Sequence, residues 1–164
     1  PDFPEWRLDI VGDGGDAGAL KKQAKEMKLK GLSFHGSCDP EPFYRKATVL
    51  LLPSDFEGFG MVLVEAQAFG CIPVAGNSFS AIESVIADGR SGFIVDKENI
   101  EAYRDKAALL MAGSGRVASM QRAALEQALR FRPEKIAGEW LKCIETSARK
   151  RDMLPSGMNE ARSL

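Results

Sequence analysis

Two glutamates, Glu57 and Glu65, stand at the ends of a short apolar run that also contains glycines. The helix expected to carry Glu65 is hydrophobic on all sides, which is typical of a buried helix. An ionised carboxylate there is costly unless it has a partner, and no lysine or arginine lies at helical spacing from it. Its partner must therefore come from elsewhere in the fold or from a ligand. Sugar or ribose hydroxyls would suit it, because a carboxylate only accepts hydrogen bonds.

The glycines between the two glutamates indicate a turn from a strand into a helix. Residues 48–52 form a continuous apolar run, which is typical of a parallel strand covered on both faces. Gly58 and Gly60 follow, where the backbone can approach a ligand closely. The amides of Phe59, Gly60 and Met61 would be first-turn donors, and such donors bind anions. A phosphate cradle beside two carboxylates predicts a site for a nucleoside diphosphate sugar.

At residues 54–66 the chain resembles the retaining glycosyltransferases of family 4, whose architecture is GT-B. Their signature is two glutamates separated by seven residues in a similar run. Four more segments resemble the family in the same order, namely 6–14, 32–36, 70–75 and 88–95. Five weak matches in the right order are a strong signal. The resemblance covers residues 5–148 and implies the second, donor-binding domain of such an enzyme. We therefore expect a nucleotide-sugar-binding domain over residues 1–148 and a polar tail over 149–164.

The resemblance also implies roles for the residues of the signature. The substrate-binding set is Glu57, Gly58, Phe59, Gly60, Met61 and Glu65. Glu65 would bond the ribose hydroxyls, and Glu57, the catalytic candidate, would contact the donor sugar. The amides of the glycine-containing turn would hold the diphosphate. No acidic pair has the Asp-x-Asp spacing that a metal-bridged diphosphate would use, so no required metal is expected. No cofactor is expected either.

One loop departs from the family pattern. Members usually have a glycine and then a proline just before the glutamate that corresponds to Glu83. Here Ser80 and Ile82 stand at those places. The loop usually faces the donor sugar, so Ser80 and Glu83 are given no role.

The resemblance further implies that a piece of the family's domain is missing. The chain opens at Pro1, just before what resembles the second strand of the domain. In the strand order 3-2-1-4-5-6, the first strand would lie between strands 7–11 and 48–52. That first strand and its helix carry the arginine and lysine that neutralise the diphosphate in the family. We expect an excised, inactive piece that also lacks the acceptor domain, with another chain or a rearranged segment in the gap.

The whole chain shows the alternation of a doubly wound parallel α/β sheet, Rossmann-like, with a helical C-terminal portion. Predicted strands are 7–11, 32–35, 48–52, 72–75 and 92–95, and predicted helices are 17–28, 41–46, 61–69, 81–87, 100–111, 116–129 and 134–147.

Two further patterns have less specific interpretations. Residues 12–17 match a loose dinucleotide fingerprint, but Asp13 and Asp16 would face the pyrophosphate, so a tight turn is favoured. His35 is the single histidine. No carboxylate in the sequence is an evident partner that would orient it for catalysis, which favours a structural histidine.

Composition limits the class of protein. A net charge of −1 argues against a nucleic-acid partner. The three cysteines have neither disulfide nor zinc spacing, and no apolar run spans a bilayer, so a cytoplasmic protein is expected. The cluster of Arg149, Lys150 and Arg151 would allow peripheral contact with anionic lipids at the inner face of the membrane.

The function expected is transfer of a sugar from a nucleotide sugar, most simply a UDP-sugar, to a glycan or lipid-linked acceptor in cell-envelope polysaccharide synthesis. Two alternatives remain open at this point. One is a nucleotide-sugar-binding module without catalysis, which would bind UDP but transfer nothing. The other is a GT-B-like nucleotide-sugar epimerase, which product analysis would distinguish from a transferase.

Overall fold

The computed structural model describes residues 3–113 and 115–152. Parallel strands alternate with helices, so the α/β class with parallel sheets is confirmed. The chain divides into two compact units, residues 1–128 and residues 129–164. The sequence predicts a domain that runs to residue 148, and this extent stays a prediction.

The first unit begins with a two-stranded parallel sheet. Strand β1 (Leu8–Val11) pairs with β2 (Leu32–Gly36), and helix α1 (Ala17–Glu26) connects them. Leu8 lies opposite Leu32, and the register shifts between Ile10 and Val11. The burial pattern of β2 alternates between partly covered and exposed positions. One face of this sheet is therefore open.

The second sheet has three parallel strands in the order β3-β4-β5, whose bounds are Val49–Leu52, Ile72–Gly76 and Phe93–Val95. Short helix α2 (Glu41–Tyr44) precedes β3. Helices α3 (Met61–Ala68) and α4 (Ile82–Val85) connect the strands. All five residues of β4 are buried, as expected of a central strand covered on both faces.

Helices α5 (Ile100–Met111) and α6 (Arg116–Ala128) complete the first unit. They help to enclose the core of the second sheet, because α5 contacts all three strands and α6 contacts α3 and β4. The core cluster consists of Ile72, Val74, Phe93, Val95, Tyr103, Leu110 and Met120. Helix α3, which contacts α6 and β4, is thus held against a packed interior.

Strands β1 and β3 belong to different sheets, and no ladder between them is present in the described part of the chain. If a central strand is to lie between β1 and β3, these two strands cannot pair with each other, and this condition is met. That a strand is missing, and what would fill its place, stays a prediction.

The second unit contains a 3-10 turn (Leu129–Phe131) and helix α7 (Pro133–Asp152). The sequence predicts that this helix ends at residue 147 and that a tail follows. Helix α7 instead continues to Asp152, because its polar C-terminal residues include no glycine or proline to stop it. The rest of the predicted tail, 153–164, lies outside the described residues. Trp140, Leu141 and Ile144 are exposed on α7.

Among the described residues, no helix is both long enough and apolar enough to cross a membrane.

Candidate donor site

The start of α3 is built on a left-handed glycine. Gly60 is the N-cap residue, with φ of 71°. A Cβ at this position would lie 2.8 Å from Cζ of Phe79 and 3.0 Å from Cδ1 of Leu63. Only glycine fits both the backbone conformation and the space. This explains why a glycine stands at the turn from β3 into α3.

The N-terminus of α3 is open to a ligand. No side chain caps it, and the amide of Leu63 donates to the carbonyl of Gly60 at 2.9 Å. Gly58 is exposed, Phe59 is 38% exposed and Met61 is 55% exposed. The partial positive charge of a helix N-terminus favours an anion at such a place.

The prediction that Glu65 is buried is wrong. Met61, Glu65 and Ala68 are exposed, and their spacing places them along one face of α3. The other faces are covered, with Leu63 and Val64 buried. The helix packs against β3, β4 and α6 through its covered faces, so an apolar sequence still leaves one face exposed.

Glu65 has a partner within the fold, which sequence reasoning did not identify. The hydroxyl of Tyr44 donates to Oε2 of Glu65 at 3.3 Å. Burial and, after it, the neighbouring Glu65 carboxylate together raise the pKa of Tyr44 to about 12. Tyr44 was missed because its position in α2, 21 residues upstream, has no local pattern that points to Glu65.

Glu57 lies in the segment between β3 and α3 and is half-buried. No hydrogen bond or ion pair joins it to a described residue. The surrounding segment, residues 53–60, contains Asp55 and Glu57 and no lysine or arginine. Glu57 is therefore available to a ligand hydroxyl, and any diphosphate at α3 would need cations from outside this segment.

His35 does have an orienting carboxylate, contrary to the expectation from the sequence. Its Nε2 lies 2.7 Å from Oδ1 of Asp9, and its ring centroid lies 4.5 Å from that of Phe43. The neighbouring parallel strands β1 and β2 bring the pair together across 26 residues. His35 is thus hydrogen-bonded, as a structural histidine would be.

The structure explains one of the two residues by which the loop before Glu83 departs from the family pattern. Ile82 is 2% exposed and belongs to the core, whereas Ser80 and Glu83 are exposed. Glu83 lines a cavity of about 350 Å³ near Asp88 and Ile94. A second cavity of about 440 Å³ lies near Arg90 and α6. Neither cavity is lined by the residues of the predicted donor site.

No three histidine, cysteine, aspartate or glutamate side chains converge as a metal site in the parts of the chain that the structure describes. Metal independence stays a prediction.

A family model described as "Glycosyl transferases group 1" matches residues 1–127, so the chain belongs to this family. The chain is 35% identical to the poly(glycerol-phosphate) alpha-glucosyltransferase of Bacillus subtilis (strain 168) over 102 residues, which cover 61% of this chain and 15% of that protein. The first curated relatives are much longer, and the chain covers 15–40% of their length.

Solved structures agree with this assignment. The pneumococcal O-GlcNAc transferase GtfA, solved in complex with UDP and GlcNAc, is 25% identical with a TM-score of 0.78, covering 88% of this chain and 30% of that one. The C-terminal domain of the group 1 glycosyl transferase LpcC from Francisella tularensis is 22% identical with a TM-score of 0.69, covering 77% of this chain and 70% of that one. The GT-B fold class predicted from the sequence is confirmed.

Proposed function

We propose that this chain is the donor-binding domain of a retaining, metal-independent hexosyltransferase of family 4. The donor is a nucleoside diphosphate sugar, most simply a UDP-sugar. The acceptor is a glycan or a lipid-linked glycan of the cell envelope, bound through a further domain. The reaction takes place on the cytoplasmic side, at the inner face of the membrane.

The observation that carries this proposal is the arrangement around α3. The helix begins without a capping side chain at the left-handed Gly60, and Glu65 is exposed one turn further along. A diphosphate at the helix N-terminus would be stabilised by the backbone amides of the first turn. A ribose beside it would offer hydroxyl donors to Glu65, whose carboxylate is an acceptor only.

Glu57 is assigned to the donor sugar. It precedes α3, is half-buried and has no bonded partner among the described residues. A hydroxyl of the sugar would supply that partner. A carboxylate beside the sugar would also favour positive charge developing there as the bond to the phosphate breaks. In a retaining reaction on one face of the sugar, the leaving phosphate would help to deprotonate the acceptor.

The names of similar proteins support the nucleotide and the acceptor class. GtfA was solved with UDP, and the Bacillus subtilis relative is named as a glucosyltransferase of poly(glycerol-phosphate). Since the chain covers only part of these proteins, we expect the isolated 164 residues to transfer no sugar.

The first test removes the proposed ribose contact in the complete polypeptide. Glu65→Ala should weaken UDP binding by about 1.5–3 kcal/mol, the scale of hydrogen bonds to charged groups. Glu26→Ala, which removes an exposed carboxylate from α1, is the matched control and should leave the affinity unchanged. Calorimetric titration with UDP measures both. Unchanged affinity in Glu65→Ala would show that the ribose role is wrong.

The second test separates the sugar contact from nucleotide binding. Glu57→Gln keeps the size of the side chain, so UDP should bind nearly as in the parent protein. Turnover should fall more than donor affinity, because the contact strengthens as charge develops on the sugar. Equal losses of UDP and UDP-sugar affinity would place Glu57 in the nucleotide pocket instead.

UDP binding with no transfer by the parent polypeptide would favour a binding module.

A further inference from the structure

Tyr44 is a firmly held side chain next to the proposed donor site. It is 7% exposed, and its ring stacks on that of Phe69 with centroids 6.0 Å apart and planes at 24°. The guanidinium of Arg45 lies 4.8 Å from the Phe69 ring centroid. The carbonyl of Tyr44 accepts a hydrogen bond from Sγ of Cys71 at 3.1 Å. Both the ring and the backbone of this residue are therefore fixed.

The Glu65 side chain is much less restrained than that of Tyr44. Glu65 is exposed on α3, and among the described residues its carboxylate has one hydrogen-bond partner, the Tyr44 hydroxyl. A free glutamate side chain samples many rotamers, and fixing it on binding costs free energy. A rigid donor that already holds one carboxylate oxygen reduces this cost.

We propose that Tyr44 is a positioning residue for nucleotide binding: its hydroxyl holds Oε2 of Glu65, which leaves Oε1 to accept from the ligand hydroxyls. The inference rests on the proposed function of Glu65. The bond of 3.3 Å is long for a hydroxyl and a carboxylate, so it has room to shorten when the ligand is bound.

A purely structural role is the competing explanation, and Tyr103 provides a matched control for it. Tyr103 is 9% exposed, and its hydroxyl donates to the carbonyl of Leu52 at 3.4 Å. The two tyrosines are thus equally buried and make hydrogen bonds of similar length. They differ in that only the Tyr44 hydroxyl is bonded to a proposed ligand-binding group.

The test is a double-mutant cycle on UDP affinity in the complete polypeptide. Tyr44→Phe keeps the ring and removes the hydroxyl, and should raise the Kd for UDP about three- to tenfold, the scale of one hydrogen bond. In a Glu65→Ala background the same change should alter the Kd by less than about twofold, because the group it positions is gone. Tyr103→Phe should leave the Kd within about twofold of the parent.

The outcomes separate this inference from the proposed function. An equal rise in Kd from Tyr44→Phe with and without Glu65 would show a structural effect and overturn the positioning role. A loss of affinity in Glu65→Ala without one in Tyr44→Phe would also overturn it, while the ribose contact stands. Unchanged affinity in both variants would overturn the ribose contact itself, and the positioning role with it.

The contact can also be measured without any ligand. The chain has two tyrosines, so Tyr103→Phe leaves Tyr44 as the single source of tyrosine signal in the 164-residue chain. With ring-carbon-labelled tyrosine, its Cζ resonance at neutral pH should shift when Glu65→Ala is added and stay in place when Glu57→Gln is added. A resonance that does not respond to Glu65→Ala would contradict the hydrogen bond and overturn the proposal.

Discussion

The two sheets of the first unit are built from the same alternation of strand and helix, yet they differ sharply in burial. Within residues 3–43, all of them described, no side chain is buried. In the β3-β4-β5 sheet every residue of β4 is buried, and α3 contributes four more buried residues. Two large apolar side chains of this region, Leu8 and Met27, are 48% and 60% exposed.

The difference follows from the number of layers around each sheet. The β3-β4-β5 sheet has α3, α5 and α6 packed against its strands. The β1-β2 sheet has few neighbours, and α1 has no buried residue. Burial of apolar area is the main source of stability, so the half that carries the proposed donor site should be the stable half of the unit.

The largest expected effect compares two isoleucines. Ile72→Ala in β4 removes a side chain with no exposed surface and should lower the free energy of unfolding by about 3–4 kcal/mol. Ile10→Ala in β1 removes a partly exposed side chain and should cost less than about 1.5 kcal/mol. Urea unfolding followed by circular dichroism measures both. Equal losses would show that the two halves share one core, and would break the comparison.

A smaller effect compares two left-handed glycines. Gly36 has φ of 68°, and a methyl group added there would meet no atom within 4 Å, so Gly36→Ala should cost about 1 kcal/mol from backbone strain alone. Gly60→Ala adds the collision with Phe79 and should cost about 2–3 kcal/mol. It should also weaken UDP binding through the displaced turn. Thermal unfolding measures the difference between the two variants. Equal losses of stability would mean that the Phe79 side chain moves aside and removes the collision.

The smallest effect concerns alkaline pH in the buried half. Burial raises the pKa of the Cys71 thiol to about 11, and burial together with Glu65 raises the pKa of Tyr44 to about 12. Since each folded pKa lies above the unfolded value of 9 or 10, the unfolded chain loses these protons first. Their contribution is full below pH 9 and is lost as the pH rises towards 12.

Urea unfolding measured at several pH values across this range should report the loss as a falling free energy of unfolding. Chemical unfolding of a Cys71→Ala, Tyr44→Phe double variant should show a shallower fall over the same pH range. An unchanged slope in that variant would mean that other groups control the alkaline transition.

Much of the local structure could be predicted from the sequence. In the described part of the chain, the five strands and seven α-helices lie where apolar runs and turn residues indicate, with shifts of a few residues at the ends. The glycine at position 60 could be placed at the start of α3 because its left-handed φ suits glycine above other residues. The prediction that Glu65 is buried was wrong, and the Asp9 partner of His35 was not identified, because both depend on residues that only the fold brings close. The predicted end of α7 was wrong because the sequence between residue 147 and Asp152 contains no glycine or proline that would stop the helix.

The sequence alone determined the family, the order of elements and the identity of the candidate donor residues, since these follow from local spacing and composition. The tertiary structure decided that β1 and β3 do not pair, that Glu65 is exposed, and that Tyr44 and Asp9 are the partners of Glu65 and His35. The physical reason is that burial and hydrogen bonding depend on residues 21 and 26 positions away in the chain. Only the packing of helices and strands brings such residues together.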